Sequence, residues 1–399
     1  ARPGPIPMEP LQGRVAGLDI TRSSGQAGAG VNIQLRGNRS ITASGTPLFI
    51  INGLPGDYST LNPYDIESIE VLKDASSTAV YGSAGSNGVI LITTKGGKAG
   101  KLTVDVNSFY GYNGWSKVPA SLTGDGYLKA KRDAFSYVWD ATANEWTKTG
   151  ALWQSPANDK DIFGDIRYPA FLEGQYTDWV DLFLRKNPAT QNYSIGVSGG
   201  TEKTKAYISA NYTDENGQYR GDSYKQFSTN MRIDHKIKPW ISIGANLQAS
   251  YVIRHKAQDK LENVIVTDPL ARPYRADGTI NPDLGNNVYN LLLDYQPGVY
   301  DNLDNNTKLH FNPYVEIKPF KGFTFLSRAG ASLNYNNNYR FDGIGSVNYT
   351  YNNAGISRAE ITQNRYVGYQ WENILTYNLK VADDHDFTFT GVSTYYNHS

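Results

Sequence analysis

From Leu102 onward, apolar and polar side chains alternate with a period of two. Leu102, Val104 and Val106 take turns with Thr103, Asp105 and Asn107, and Tyr193, Ile195 and Val197 with Ser194, Gly196 and Ser198. Ala206, Ile208, Ala210 and Tyr212 alternate with Tyr207, Ser209, Asn211 and Thr213, and the pattern returns over Ile241–Ser250, Leu309–Lys318 and Leu375–Lys380. Successive side chains of a strand point to opposite faces, so each run predicts a strand with one apolar and one polar face. Nine strands are expected, near 102–112, 191–199, 203–213, 225–236, 240–254, 307–318, 323–335, 363–381 and 385–397.

The connections between these strands separate a sandwich from a barrel. Those after the second, fourth, sixth and eighth strands are short (199–202, 237–239, 319–322 and 382–384). Those after the first, third, fifth and seventh are longer, and 113–190 and 255–306 are very long. Short turns at one end and long loops at the other describe a transmembrane antiparallel β-barrel of the outer-membrane kind. A sandwich has no reason to keep this parity, and loops of such length are uncommon in compact soluble domains. The alternation then assigns Leu102, Val104, Ile195, Ile208, Ile243 and Leu247 to lipid, and Asp105, Asn107, Asn246 and Gln248 to the lumen. Nine strands are too few for a closed single-chain barrel, which has an even number. A plugged transporter barrel has about 22, so both ends of a longer protein are expected to lie outside this sequence.

Residues 1–98 follow a different grammar and are expected to form a separate α+β plug ahead of the barrel strands of 102–399. Val31-Asn-Ile-Gln-Leu35 reads as a half-buried strand, and Pro47–Pro55 as an apolar run closed by the hairpin signal Asn52-Gly53. Asp65–Leu72 reads as a short turn of helix feeding a strand. Asp74–Tyr81 is a second helical candidate capped by Asp74, and Gly88–Thr94 is a β-branched strand. Gly82, Gly85 and Gly88 lack the order of a phosphate-binding fingerprint and read as tight turns.

Composition narrows the function. The 399 residues carry 38 basic and 38 acidic side chains, so the basic excess of a nucleic-acid partner is missing. There is no cysteine, hence no disulfide, thiolate metal site or cysteine nucleophile. The five histidines fall in or beside separate strands without a metal-binding spacing, and no metal or cofactor is expected. No apolar run reaches the length of a transmembrane helix, and 29 tyrosines suit barrel strands with their aromatic girdles and a secreted β-sandwich alike. Asp214-Glu-Asn-Gly217 with Asp222 has a faint calcium flavour but fails the spacing of a calcium loop, and reads as a polar hairpin loop. Asp65, Glu67, Glu70 and Asp74 with Arg36, Arg39 and Lys73 are either weak ion pairs between plug and barrel or ordinary solvated charges. Trp115, Tyr127, Trp139, Trp146, Trp153 and Trp179, in the first long loop, offer either a surface for substrate or lid or a small core for the loop itself.

Several segments resemble the SusC-like TonB-dependent outer-membrane transporters (the SusC/RagA family). They are Leu11-Gln-Gly-Arg-Val-Ala-Gly-Leu18, Leu35-Arg-Gly-Asn-Arg-Ser40, Pro47–Gly53, Ile66–Asp74 and Tyr81–Lys95 in the plug, then Asp178-Trp179, Gln191–Gly200 and Lys205–Tyr212 in the barrel. The likeness covers about residues 11–250. It marks Arg36, Gly37, Asn38, Asn52, Gly53, Glu70, Lys73, Tyr81, Gly82 and Gly88 as plug-motif residues, and leaves Trp115, Trp139, Trp146 and Trp153 as candidate substrate or lid contacts. The family implies energised import of a large nutrient, an oligosaccharide or an oligopeptide, with no chemistry done on it. The partners implied are a SusD-like surface lipoprotein as lid, the TonB–ExbB–ExbD complex and outer-membrane lipid. A TonB box, an N-terminal regulatory-like domain and the last barrel strands are not seen in this sequence, so coupling to TonB is an inference from the family. A receptor or secretion channel without energised import, and a soluble β-rich glycan-degrading enzyme, are the alternatives.

Overall fold

The computed structural model describes residues 7–22, 24–35, 37, 45–74, 78–114, 122–258, 261–285, 288–348, 356–381 and 385–398. Its first part holds two small sheets. Strands β1 (Leu18–Arg22) and β2 (Val31–Leu35) form an antiparallel ribbon. Strands β3 (Leu48–Ile51), β4 (Leu54–Pro55), β5 (Ile66–Leu72) and β6 (Val89–Thr94) form a mixed sheet in the order β4-β3-β6-β5. Parallel β3 and β6 are its central strands, which is why both are apolar runs rather than alternating ones. The β3–β4 hairpin turns on Asn52 and Gly53, with φ of 51° and 91°, as an Asn-Gly turn should. Met8, Leu18, Ile20, Ile33, Leu35, Phe49, Ile51, Leu61, Ile90 and Ile92 make one core, and every side chain packed on it also comes from residues 8–92.

Two details differ from the sequence reading. The helical turn before β5 is a 3-10 turn at Pro63–Asp65, and the strand occupies all of Ile66–Leu72. The second helical candidate, Asp74–Tyr81, falls partly outside the described residues, and its described end belongs to a 3-10 segment, Ala79–Gly85, interrupted at Gly82.

The second part is a nine-stranded antiparallel sheet in chain order: β7 (Gly100–Tyr112), β10 (Ala189–Gly200), β11 (Thr204–Asn216), β12 (Ser223–Lys238), β13 (Ile241–His255), β14 (Tyr300–Ile317), β15 (Phe323–Asp342), β16 (Arg358–Val381) and β17 (His385–His398). Each expected strand is present. The long second loop is shorter than expected, because β14 begins at Tyr300. All the long connections leave from one end of the sheet. The first carries helices α1 (Gly124–Phe135), α2 (Asp159–Leu172) and α3 (Trp179–Phe183) and the hairpin β8 (Val138–Asp140) with β9 (Glu145–Thr147). The third long-end connection carries α4 (Leu261–Val266). These two connections fold together into one cap. Ile162, Phe163 and Ala170 pack on Leu270, while Trp179, Val180 and Phe183 pack with Ala257, Val264 and Leu292.

The sheet is inside out relative to a soluble protein. Leu102 and Val106 are 70% and 72% exposed, and Val104, Ile195, Ile208 and Ile243 are exposed beside them. On the other face Asn230 and Gln248 are 1% exposed, and Asn192, Ser194, Asn211 and Asn246 are buried. Register keeps the faces consistent, since Val104 and Val106 lie opposite Val197 and Ile195, and Asn107 lies opposite Ser194. An apolar outer face and a polar, covered inner face suit a wall between lipid and a filled lumen. In the full-length protein Ile208→Arg should cost about 2–4 kcal/mol of folding free energy in lipid bilayers, and Asp105→Arg on the opposite face far less. Equal penalties from denaturant titrations of the two variants would defeat the facing.

Candidate functional site

The polar face of the wall is covered by residues 9–98, and the contact is built from hydrogen bonds and ion pairs. At the long-connection end, Arg22 pairs with Glu215 of β11 at 2.7 Å and with Glu9 at 3.2 Å. The other Glu215 oxygen accepts the Gly28 N–H at 3.1 Å, and Asp222 Oδ2 accepts the Ala27 N–H at 2.6 Å. Arg254 of β13 donates to the Gln26 side chain at 3.0 Å. Midway along the wall, Lys308 of β14 holds the Asp57 carboxylate and donates to Ser59 Oγ at 2.7 Å, and Gln226 donates to the Ser59 carbonyl at 3.0 Å. Asn62 donates to Asn192 at 3.3 Å. Asp65 is buried and accepts from Tyr207 at 2.9 Å and from Asn211 at 2.8 Å. The exit from β6 then runs along the wall, where the Lys98 N–H donates to Ser198 Oγ at 3.2 Å.

Between the β3–β4 hairpin and the wall lies a cavity of ≈ 240 Å³, with Asn52, Leu54, Arg232, Asn246, Tyr314 and Arg328 among its lining. Arg232 is paired with Asp234 at 3.1 Å, and Arg328 is paired with Glu372, so these wall cations are neutralised where the hairpin approaches. A side chain in place of Gly53 would meet the Arg328 guanidinium.

Residues 7–89 match the family model described as TonB-dependent Receptor Plug Domain. The TonB-dependent receptor P26 of Formosa agariphila is 27% identical over 395 residues, 96% of this chain and 37% of its own length. The TonB-dependent receptor SusC of Bacteroides thetaiotaomicron is 34% identical over 234 residues, 56% of this chain and 20% of its own length. The chain is similar to the SusC-like TonB-dependent receptors along nearly its whole length. It spans roughly a third of the length of the first curated relatives it matches, 37% and 34%. The solved structure of the RagAB peptide transporter has the same fold, with a TM-score of 0.82 at 22% identity over 99% of this chain and 46% of that one. A siderophore receptor, PirA of Acinetobacter baumannii, aligns with a TM-score of 0.55 at 12% identity, covering 100% of this chain and 46% of that one. The chain is thus part of an outer-membrane β-barrel. No helix among the described residues is long and apolar enough to cross a membrane, which says nothing of crossing by strands.

The motif residues of the receptor have mostly internal places. Arg36 and Asn38 lie outside the described residues, as do Arg39 and Trp115. Asn52 ties its hairpin to β6, donating to Thr94 Oγ1 at 2.9 Å and accepting the Thr94 N–H at 3.0 Å. Lys73 donates to the Ala16 carbonyl, and Tyr81 is half-buried. Gly37, Gly82 and Gly88 take φ of 76°, 57° and 90°. Glu67 and Glu70 are exposed on β5, and of the four acids singled out in the sequence only Asp65 reaches the wall among the contacts described. The tryptophans divide. Trp179 is buried, and Trp153 turns inward, its Nε1–H donating to Asp159 at 2.9 Å. Trp139 and Trp146 stay exposed as an edge-to-face pair on the β8–β9 hairpin, centroids 5.6 Å apart. Sequence reading missed Arg22, Gly25–Gly28, Asp57 and Lys308. It saw Glu215 and Asp222 but read them as a polar hairpin loop, where they grip the plug.

Two of these carboxyls respond to acid in opposite senses. Burial pushes Asp222 up to about 6, against the Ala27 N–H that favours its anion. Its folded state therefore prefers the proton, and its contribution to stability is full below about pH 4 and lost as pH rises through about 6. Burial would also raise Asp57, but the Lys308 ammonium and the Ser59 donors outweigh it and hold that carboxyl below the usual range. Its contribution is present above the ordinary carboxylate range and lost as pH falls through its lowered value. Asp222→Asn keeps an acceptor for the Ala27 N–H and removes the buried charge. The variant should melt higher than wild type at about pH 7.5, with the gap closing by about pH 4. Melting curves that stay parallel over that range contradict the assignment.

Proposed function

We propose that the full-length receptor imports a large nutrient, an oligosaccharide or an oligopeptide, across the outer membrane, driven by TonB–ExbB–ExbD and covered by a SusD-like lipoprotein lid. On this reading residues 1–98 act as a plug and 102–399 as the first part of the barrel. The observation that carries it is the character of their contact. The plug's apolar core closes on itself, while its joints to the wall are polar. A net hydrogen bond contributes about 0.5–1.5 kcal/mol, and water can replace it as a joint opens. An apolar seam would instead expose its whole area to water at once. A plug held by many replaceable joints can be displaced or remodelled by force without first unfolding its core.

The cap belongs outside the cell on this reading, since short turns of such barrels face the periplasm and long loops the exterior. Its exposed Trp139–Trp146 pair is then a candidate contact for lid or substrate, of the residue type that dominates interface hot spots. Among the similar proteins RagAB is a peptide importer, which supports the oligopeptide, and SusC is a TonB-dependent receptor.

Uptake of fluorescent oligosaccharide and oligopeptide mixtures by cells carrying the receptor should collapse when TonB is deleted. Uptake at an unchanged rate without TonB would mean a passive channel. Replacing both Trp139 and Trp146 by Ala should leave the barrel inserted and weaken lid co-purification or uptake roughly tenfold or more, the scale of a hot spot. If both readouts keep wild-type values, the hairpin is not the contact.

A further inference from the structure

We propose that the connection between β11 and β12, residues 217–222, is a coupling element that transmits the conformation of the cap to the plug, with Arg185 and Asp222 as its positioning residues. Two residues of this connection are each held from both sides. The Gln218 carbonyl accepts the Arg185 N–H of the cap at 2.8 Å, while the Gln218 N–H donates to the Gly25 carbonyl of the plug at 3.4 Å. The Asp222 carbonyl accepts from the Arg185 guanidinium at 2.7 Å, while its carboxylate accepts the Ala27 N–H of the plug at 2.6 Å. Arg185 also donates to the Gly217 carbonyl at 3.2 Å, so one cap guanidinium spans both ends of the connection.

The connection is built to move as one body. Gly217 N–H donates to the Asp222 carbonyl at 3.1 Å and Asp222 N–H to the Tyr219 carbonyl at 3.3 Å, closing the loop on itself. Gly217 is required there, because a Cβ would come within 1.9 Å of Asp222 Oδ2 and 2.9 Å of the Ala27 nitrogen. Toward the cap, Leu184 pairs with Tyr219, and Arg220 N–H donates to the Phe183 carbonyl at 3.3 Å. Tyr219 is buried in the apolar cluster of Trp179, Phe183, Ala257, Val264 and Leu292, which both long connections share. Any shift of that cluster moves Tyr219 and, with it, the carbonyls and carboxylate that hold Gly25 and Ala27. Coupling of this kind needs a physically continuous element biased from both ends, and the hydrogen bonds on Gln218 and Asp222 supply the continuity.

Its use in import rests on the proposed function, but the coupling can be tested without transport, so either can fail while the other stands. Amide hydrogen exchange is measured on the full-length receptor in lipid nanodiscs, following the peptide that holds Ala27 and Gly28. Asp222→Ala removes the plug-side acceptor and should speed exchange there tenfold or more. Arg185→Ala removes only cap-side donors, and it should also speed exchange at Ala27 and Gly28 several-fold. Amides of β3 and β6 should keep wild-type rates in both variants. Should Arg185→Ala not assemble, Arg185→Gln, which keeps length and loses the fork, is compared in the same way. Fast exchange at Ala27 and Gly28 in Asp222→Ala with wild-type rates in the Arg185 variant would overturn the coupling and leave a purely local clasp. Loosening of β3 and β6 alongside would overturn it too, as the sign of a generally weakened plug.

Discussion

The structure depends on one constraint: a strand in lipid must send its polar side chains inward, and those inward groups must then find partners. Asn192, Asn211, Gln226 and Glu215 sit on the covered face of the wall, and each meets a group of the plug. Plug and wall therefore solve each other's problem. The wall gains hydrogen-bond partners for a face that cannot be apolar, and the plug gains a mould without spending its apolar residues on it. The same division explains why the plug core is confined to residues 8–92.

The cap follows a different rule. On the proposed topology it lies beyond the lipid, so its connections must be ordered by cores of their own, and the two long ones achieve this jointly. Arg167 reaches Asp268 at 2.7 Å, and Tyr127 donates to the same carboxylate at 2.7 Å, so α1 and α2 in the first connection are fastened to the one between β13 and β14. Tyr127, Trp153 and Trp179 are absorbed by this fastening, which leaves only the β8–β9 tryptophans facing out among those described in the cap.

Strands were legible wherever lipid demands alternation, and their ends were not. Tyr300–Asn306 and Asn336–Asp342 extend β14 and β15 past the expected limits although Asp and Asn fill them. There the strands pair through side chains as well, with Asn336 donating to Asp304 at 2.7 Å and Asn338 to Asn302 at 3.0 Å. Beyond the membrane no apolar face is needed, so the period that announces a strand disappears while the ladder continues. The plug segments were legible from the Asn-Gly turn, the β-branched runs and the family likeness. Their joints to the wall were not, because Asp65 meets Asn211 and Asp57 meets Lys308 across long stretches of chain, and a lone polar residue on a strand carries no mark of its partner. Glu215 and Asp222 were visible as an acidic loop, but only the approach of Ala27 and Gly28 gives them a task.

On the proposed function the plug is a self-contained body held to the wall by separable polar joints. Force spectroscopy on the full-length receptor in a supported bilayer, pulling from the N-terminal side of the plug, tests it most directly. Residues up to about Lys98 should extend or leave the lumen in one or more early steps while the wall from Gly100 onward stays inserted. Extraction of β7 and β10 together with the plug in a single step, with no earlier plug event, would contradict it.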